Sequence, residues 1–233
     1  MCSSDLEAKN GHRLGQGIAK VDQENLLLDR ILDLQKESDE DSGENKSLVF
    51  TSGYLWVLAK SNNTRWQSAL NRIKKDDTMV HWYAEACWRS QLNDHNAVTI
   101  LELIKKSKLS VLDLSMFRFG GMVKSLSAEV FHQWIEYLLD QNAIQTTGIA
   151  IDLFAAYYVF QEDGPVPKEL TDKILTSAPL AEQKDREIAR AIDYDWSTIA
   201  KKYVKQYPKD ALSLADVILD NFGEDDTIRS EEH

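Results

Sequence analysis

The chain has 233 residues, of which 43% are apolar, and it carries a net charge of −11 at pH 7. This size suits one elongated domain or two small globular ones, and ten Gly with four Pro are too few for a turn-rich all-β fold. The acidic charge disfavours a general nucleic-acid surface and docking on anionic lipid, because both depend on positive charge.

Two further features point to a cytoplasmic protein. Cys2 and Cys87 cannot make a disulfide framework, and Cys87 lies in an aromatic, apolar run where a small core residue is expected. No apolar stretch is long enough to span a membrane. We therefore predict a cytoplasmic chain with no membrane partner.

The N-terminal part predicts one helix between two irregular segments. Residues 1–15 are expected to be disordered or artefactual, because the opening Met-Cys-Ser-Ser-Asp-Leu resembles a translated sequencing linker. The natural N-terminus would then be missing and the chain would be a piece of a longer protein. Residues 16–36 carry an apolar stripe that predicts an N-terminal helix, loosely tethered to the rest. Residues 37–46 contain five acids and no apolar residue, which is typical of a solvated linker.

Residues 47–222 are predicted to form a helical-repeat domain. Five amphipathic segments recur at spacings of about 31 to 42 residues, in the range of helical-hairpin repeats. They are Trp66–Ile73, Ala97–Ile104, Val130–Leu139, Leu170–Leu175 and Leu212–Phe222. Five more lie between them: Val49–Leu58, Val80–Leu92, Leu112–Met122, Ile149–Phe160 and Ile188–Tyr203. We predict an all-α fold with almost no strand, an α-solenoid of stacked antiparallel hairpins of the HEAT or TPR kind, with about eleven helices.

Capping residues support these helices. Asn93-Asp94 can end one helix and cap the next, and Ser127 precedes a helix that runs to Asp140. Pro165 and Pro167 mark a stop followed by a helix start, and Tyr207-Pro208 separates the last two helices. The acidic tail, residues 223–233, is expected to fray.

The chemical motifs in the sequence are weak. Gly15-Gln-Gly17 is an incomplete glycine loop, and no Gly-Lys-Ser/Thr phosphate loop occurs. His81 and Glu85 share a helix face, but two ligands do not make a metal site, and a histidine beside a salt-bridging acid is the favoured interpretation. Asp193 and Asp195 could serve acid–base chemistry, although an interhelical turn plugged by Trp196 is favoured. We therefore predict no catalytic residue, no metal site and no cofactor.

The segment Met116–Met122 is the preferred candidate for a partner-binding site. Its residues Phe117, Arg118, Phe119, Gly120 and Gly121 place a planar cation between two rings, next to two glycines that are costly inside a helix. Arg118 could grip a carboxylate or phosphate of a partner, or it could pair with an internal acid at a helix–helix contact.

A second set of rings allows two interpretations, a core or a stacking platform for bases or peptides, and the core is favoured. The set comprises Trp82, Tyr83, Trp88, Phe154, Tyr157, Tyr158 and Phe160. On the neighbouring helix Trp134 lies on the apolar stripe, where a core position is expected.

About half of the chain resembles a known group of proteins. The runs Phe117–Leu139, Ala150–Tyr158, Trp196–Lys201, Tyr207–Leu212 and Asn221–Ile228 carry the resemblance. They look like the helical-repeat region downstream of the ATPase module in large bacterial ATP-binding proteins of the NACHT/STAND type. The resemblance implies a scaffold with a sensing or recognition role, and it implies no catalytic residue, because the ATP-binding module is not among these segments.

Together these patterns predict a non-enzymatic interaction or sensor scaffold that holds a protein or peptide in its groove, as part of a longer polypeptide with an ATPase module. An α-helical hydrolase fragment with an unrecognised acidic site is one alternative. A purely structural spacer is the other. A groove lined by one helix of each pair would favour the scaffold, and a closed pocket with convergent acids or histidines would favour the enzyme.

Overall fold

The computed structural model describes residues 3–42, 47–160, 164–177 and 186–222, and its regular structure is helical. It is 78% helical, and the described residues contain no strand. The all-α prediction is therefore confirmed. Contacts divide the chain into two compact units, residues 1–116 and residues 117–233.

The first unit contains six described α-helices. They are α1 (Ser3–Val21), α2 (Leu28–Ser42), α3 (Val49–Ser61), α4 (Asn63–Lys75), α5 (Tyr83–Ser90) and α6 (Asp94–Lys105). A 3-10 turn, Val80–Trp82, leads into α5, and a longer 3-10 segment, Val111–Arg118, crosses into the second unit. The predicted segments of this part fall on α3 to α6, because each has an apolar stripe that a helix can bury.

Helix α3 is the centre of the first unit, since α1, α2, α4 and α5 all pack against it. Helices α1 and α3 touch through backbone at Gly15 and Gly53. A Cβ atom at Gly15 would lie 2.1 Å from the carbonyl oxygen of Phe50, and one at Gly53 would lie 2.0 Å from that of His12. The glycines that resembled a partial nucleotide loop thus include one that allows two helices to approach closely.

The N-terminal region differs from the prediction. Helix α1 begins at Ser3, inside the segment expected to be disordered, and the single helix predicted for residues 16–36 is broken between Val21 and Leu28. The break has a local cause: the Asp22 carboxylate accepts hydrogen bonds from the backbone N–H groups of Leu26 (3.0 Å) and Leu27 (2.8 Å). These bonds compete with helix continuation. Asn25 completes the turn with a φ of 57°.

The acidic linker also differs in part from its prediction, because α2 continues to Ser42. Residues 43–46 and the predicted acidic tail, residues 223–233, lie outside the described residues. Helix α2 is fixed by ion pairs to α4, in which Arg65 contacts Asp29, and Arg72 contacts both Asp29 and Asp33. The N-terminal helices are therefore packed on the first unit rather than loosely tethered to it.

The second unit contains five described α-helices. They are α7 (Ala128–Asp140), α8 (Ile144–Phe154), α9 (Lys168–Leu175), α10 (Arg186–Gln206) and α11 (Ala211–Phe222). A 3-10 turn, Met122–Ser125, precedes α7, and a π-helical turn, Ala155–Val159, extends α8. The predicted caps at Asn93 and Ser127 are confirmed, because their side chains accept from the N–H groups of Asn96 and Val130.

The core of the second unit is aromatic. Trp134 on α7 is fully buried and meets Phe117 edge to face, with ring centroids 5.2 Å apart. Phe131, one turn earlier, stacks on Tyr157 at 4.0 Å, and Phe154 is fully buried on α8. The core position predicted for Trp134 is confirmed. Helix α10 packs against α8, α9 and the π-helical turn, so it closes this core.

Candidate functional site

The five residues predicted as a partner site separate into buried and exposed positions. Phe117 is fully buried against Trp134, so it is a core residue of the second unit. Phe119, two residues later, has 55% of its surface exposed. Arg118 lies between them, with its guanidinium 4.7 Å from the centre of the Phe119 ring. The exposed side chains of the predicted site are thus those of Arg118 and Phe119, and Gly120 and Gly121 are exposed beside them.

Gly120 and Gly121 form a turn, which corrects the expectation that they interrupt an α-helix. Their φ angles are +72° and +67°, in the left-handed region, and they join the 3-10 segment that ends at Arg118 to the one that begins at Met122. The predicted helix Leu112–Met122 fails for this reason, since two consecutive left-handed residues cannot belong to a right-handed helix. Glycine adopts this conformation at little cost. The turn therefore holds Phe119 at a defined position.

Arg118 has an internal partner, because its guanidinium forms an ion pair with the carboxylate of Asp152 on α8. Asp152 is the one charged residue in the apolar segment Ile149–Phe160, and this contrast is the sequence signal that could have identified it. This ion pair supports the alternative in which Arg118 pairs with an internal acid of the protein. The ion pair leaves the Phe119 ring exposed, beside the guanidinium of Arg118.

Asp195 completes a cluster of two carboxyl groups and one guanidinium. Burial, the charge of Asp152 and a hydrogen bond with Asp152 raise the pKa of Asp195 from 3.8 to about 6, while Arg118 acts in the opposite direction. Asp193, Asp195 and Trp196 lie within α10, so the interhelical turn expected here is wrong. An uninterrupted helix forms because Ile192, Ile199 and Tyr203 bury one face of α10.

The His81–Glu85 pair does not form a shared site. Glu85 accepts hydrogen bonds from the Ser47 hydroxyl (2.6 Å) and the Leu48 N–H (3.2 Å), and it pairs with Arg89. Its carboxylate therefore holds the start of α3. His81 instead faces Asp39, at 3.6 Å between Nε2 and Oδ2. Among the described residues, no group of three or more His, Cys, Asp or Glu is arranged to hold a metal ion.

Three of the seven rings in the second aromatic set belong to the cores. Trp82, Tyr83 and Phe154 are buried, and Cys87 is fully buried between helices of the first unit, where burial raises the pKa of its thiol. Trp88, Tyr157 and Tyr158 are partly buried, and Phe160 is 52% exposed. The favoured interpretation of this set as core is therefore supported for its buried members.

A second set of polar side chains lies at the π-helical turn and is connected by hydrogen bonds. The His132 ring nitrogen Nε2 lies 2.5 Å from the Tyr158 hydroxyl, and burial lowers the pKa of His132. Lys202 on α10 donates from Nζ to the carbonyl oxygen of Tyr158 at 2.6 Å. This arrangement cannot be recognised in the sequence, because His132, Tyr158 and Lys202 come from separate elements. π-helical turns are rare and often mark functional sites.

No helix among the described residues is both long enough and apolar enough to cross a membrane. Comparisons with protein-family models, with curated proteins and with solved structures found no match to this chain.

Proposed function

We propose that the protein is a non-enzymatic recognition module and that Phe119, presented by the turn at Gly120-Gly121, is the centre of its contact surface. The exposure of Phe119 carries the proposal: the ring is 55% exposed and rests beside a guanidinium that is itself held by Asp152. A ring in this position needs no rearrangement before it binds.

The chemistry of the pair fits protein interfaces. Aromatic and arginine side chains supply much of the binding energy at interface centres, especially where they are already ordered. Because the Asp152 carboxylate occupies one side of Arg118, the contribution to binding comes mainly from the Phe119 ring and the apolar stem of Arg118. The expected ligand is a protein or peptide segment with an apolar side chain that covers this ring.

A peptide-display selection against the full chain tests the proposal. Peptides enriched on the parent protein should bind Phe119→Ala at least tenfold more weakly, the usual scale for an interface hot spot. Phe160→Ala is the matched control, because Phe160 is an equally exposed ring of the same unit. If the selected peptides bind Phe119→Ala and the parent equally well, the Phe119 surface is not the contact site.

The proposal also includes the arrangement of the helices and the context of the chain in a longer protein. Stacked hairpins of the HEAT or TPR kind would give the module a groove for its ligand. The resemblance to the helical regions of NACHT/STAND-type proteins favours a sensing role in a longer cytoplasmic ATP-binding protein, with a spacer role as the alternative. The upstream coding sequence tests this context, since the proposal expects an ATPase module there. Small-angle X-ray scattering tests the elongated solenoid.

A hydrolytic enzyme is the second candidate, and the carboxyl pair of Asp152 and Asp195 favours it. An acid with a pKa raised to about 6 can donate a proton near neutral pH. Against this role, Arg118 already neutralises Asp152. Turnover of ester, glycoside or phosphate substrates by the parent, abolished in Asp195→Asn, would establish the enzyme and reject the recognition module.

A further inference from the structure

A polar groove runs along one face of α4 in the first unit. Its volume is about 700 Å³, within the range of about 300–1,000 Å³ that is usual for ligand sites. It is lined by Ser68, Asn71, Arg72, Lys75 and Asp76, none of which is apolar. From Ser68 to Lys75 the helix rises by about 10 Å, which is the length of about three extended residues. The groove therefore fits a short extended peptide better than a compact apolar ligand.

Two of the charged lining residues are already paired inside the protein. The guanidinium of Arg72 binds two carboxylates of α2, at 2.9 and 2.5 Å. The carboxylate of Asp76 accepts from the N–H and hydroxyl groups of Thr78, at 2.8 and 2.6 Å, and pairs with Lys36 at 3.3 Å. These bonds hold both side chains in place, so they shape the groove and leave its binding chemistry to the other lining residues.

Lys75 and Asn71 supply polar groups that the fold does not use. Both are exposed, and among the described residues no carboxylate pairs with Lys75 and no hydrogen bond engages the amide of Asn71. They lie one helical turn apart, so the ammonium and the amide N–H can donate to the same carboxylate. Ser68 donates its hydroxyl to the carbonyl oxygen of Thr64 at 3.0 Å and keeps its lone pairs for an N–H group of a ligand.

The C-terminal end of the groove is basic, in a chain with 38 acidic and 27 basic residues. Lys108 binds Asp77 at 2.7 Å, and Asp77 follows α4 by two residues, so the ends of α4 and α6 lie together. These two ends carry five lysines and three acids, namely Lys74, Lys75, Lys105, Lys106 and Lys108 with Asp76, Asp77 and Glu102. Two of the acids are already held in ion pairs, by Lys36 and Lys108. This end therefore attracts negatively charged groups.

The turn after α6 holds its lysines on fixed backbone. Ser107 has a φ of 55°, in the left-handed region, which is uncommon for residues other than glycine. The N–H groups of Ser107 and Lys108 donate to the carbonyl oxygens of Ile104 and Leu103, each at 2.9 Å, and lock this turn. Only the rotation of side chains is then lost when a ligand binds.

We infer that the groove on α4 binds an acidic peptide segment in an extended conformation, with one carboxylate held by Lys75 and Asn71. That carboxylate accepts a charge-assisted hydrogen bond from the ammonium and a second bond from the amide. The peptide backbone lies along α4 and donates an N–H to Ser68, while the lysines at the end of α6 attract further acids of the segment. The site belongs to the first unit and does not involve Phe119, so it is tested separately from the recognition surface.

Fluorescence anisotropy of a labelled oligoglutamate peptide, titrated with the full chain at low salt, tests the site. Lys75→Gln should weaken the Kd by about fivefold, the upper scale of an exposed ion pair. Asn71→Asp should weaken it at least as much, because it sets a second carboxylate against that of the ligand. Lys20→Gln is the matched control and should keep the parent Kd, since Lys20 is exposed in the last turn of α1 and outside the groove. Phe119→Ala should also keep it.

Four results would overturn the inference. The first is an unchanged Kd in Lys75→Gln, and the second is equal weakening by Lys20→Gln, which would show attraction to the overall charge only. The third is equally tight binding of a Gly-Ser peptide of the same length. The fourth is an oligonucleotide of equal charge that displaces the peptide and depends on Lys75 to the same extent, which would make the ligand a nucleic acid.

Thermal unfolding separates binding from folding. Lys75→Gln should melt within about two degrees of the parent, because the side chain is exposed and unpaired among the described residues. Lys75→Arg keeps the charge and should bind oligoglutamate within about twofold of the parent. A loss of several degrees in Lys75→Gln, or an equally weak Kd in Lys75→Arg, would make Lys75 a structural contact and reject the site.

Discussion

Replacement of Asp195 by asparagine should stabilise the protein at neutral and alkaline pH and leave its stability unchanged in acid. In the folded state the pKa of Asp195 is raised from 3.8 to about 6, by burial first and then by the neighbouring Asp152. Between these two pH values the folded protein binds more protons at this position than the unfolded chain does. The free energy of unfolding therefore falls as the pH rises through this window. Asparagine has no such dependence and can still donate a hydrogen bond to Asp152.

The magnitude follows from the pKa. A rise from 3.8 to about 6 corresponds to about 3 kcal/mol if the full shift acts on stability. Asp195 is only half-buried, and solvent screens such interactions strongly, so we expect about 1 kcal/mol for the substitution above pH 7. As the pH falls through 3.8 the carboxyl becomes protonated in the unfolded state as well, and the difference between variant and parent should shrink towards zero.

Urea unfolding followed by circular dichroism, at pH values from 3.5 to 8, measures this difference. Subtraction of the parent curve removes the contribution of His132, whose lowered pKa gives the parent a separate loss of stability toward acid. Asp193→Asn is the control, because Asp193 is exposed on the same helix and its variant should match the parent at each pH. A stability gain that does not change with pH, or a loss at pH 8, would refute the coupling of Asp195 to Asp152.

Four further substitutions test the packing. Gly15→Ala should destabilise the protein by about 2 kcal/mol or more, because its Cβ would collide with backbone of α3. Gly17→Ala should instead stabilise the protein by about 0.5–1 kcal/mol, because nothing lies within 4 Å of the added Cβ atom. Equal urea midpoints for the two glycine variants would contradict the α1–α3 contact. Trp134→Ala should cost about 3–5 kcal/mol in the same assay, and an unchanged Tm would place Trp134 outside the core. Arg118→Ala should lower the free energy of unfolding by about 1 kcal/mol, because it leaves Asp152 without its cation. An unchanged urea midpoint would show that the Arg118–Asp152 ion pair does not stabilise the fold.

The sequence alone was sufficient to predict most of the helices of residues 47–222. The apolar period of segments such as Trp66–Ile73 and Val130–Leu139 is a local property, and the structure places these segments in α4 and α7. The caps at Asn93 and Ser127 were equally predictable, because the side chain and the N–H group that it accepts from are three residues apart. The core position of Trp134 followed from the same helical period.

Local patterns were misleading where a turn depends on backbone conformation. An apolar stripe continues across residues 16–36, yet the Asp22 carboxylate and the left-handed Asn25 break the helix. The positive φ angles of Gly120 and Gly121 had the same effect on the helix predicted for Leu112–Met122. A few hydrogen bonds or one glycine pair determine where such a helix ends, and the hydrophobic pattern carries no information about them.

Only the tertiary structure brought together the residues that carry chemistry. Arg118, Asp152 and Asp195 come from three elements, and Arg118 and Asp152 alone are 34 positions apart. Lys202 and Tyr158 are 44 positions apart, and they are hydrogen-bonded because α10 packs on the π-helical turn. A sequence specifies which side chains a helix carries on each face. Which charges then face each other depends on how buried faces pack, since charged groups adopt the positions that hydrophobic burial leaves them.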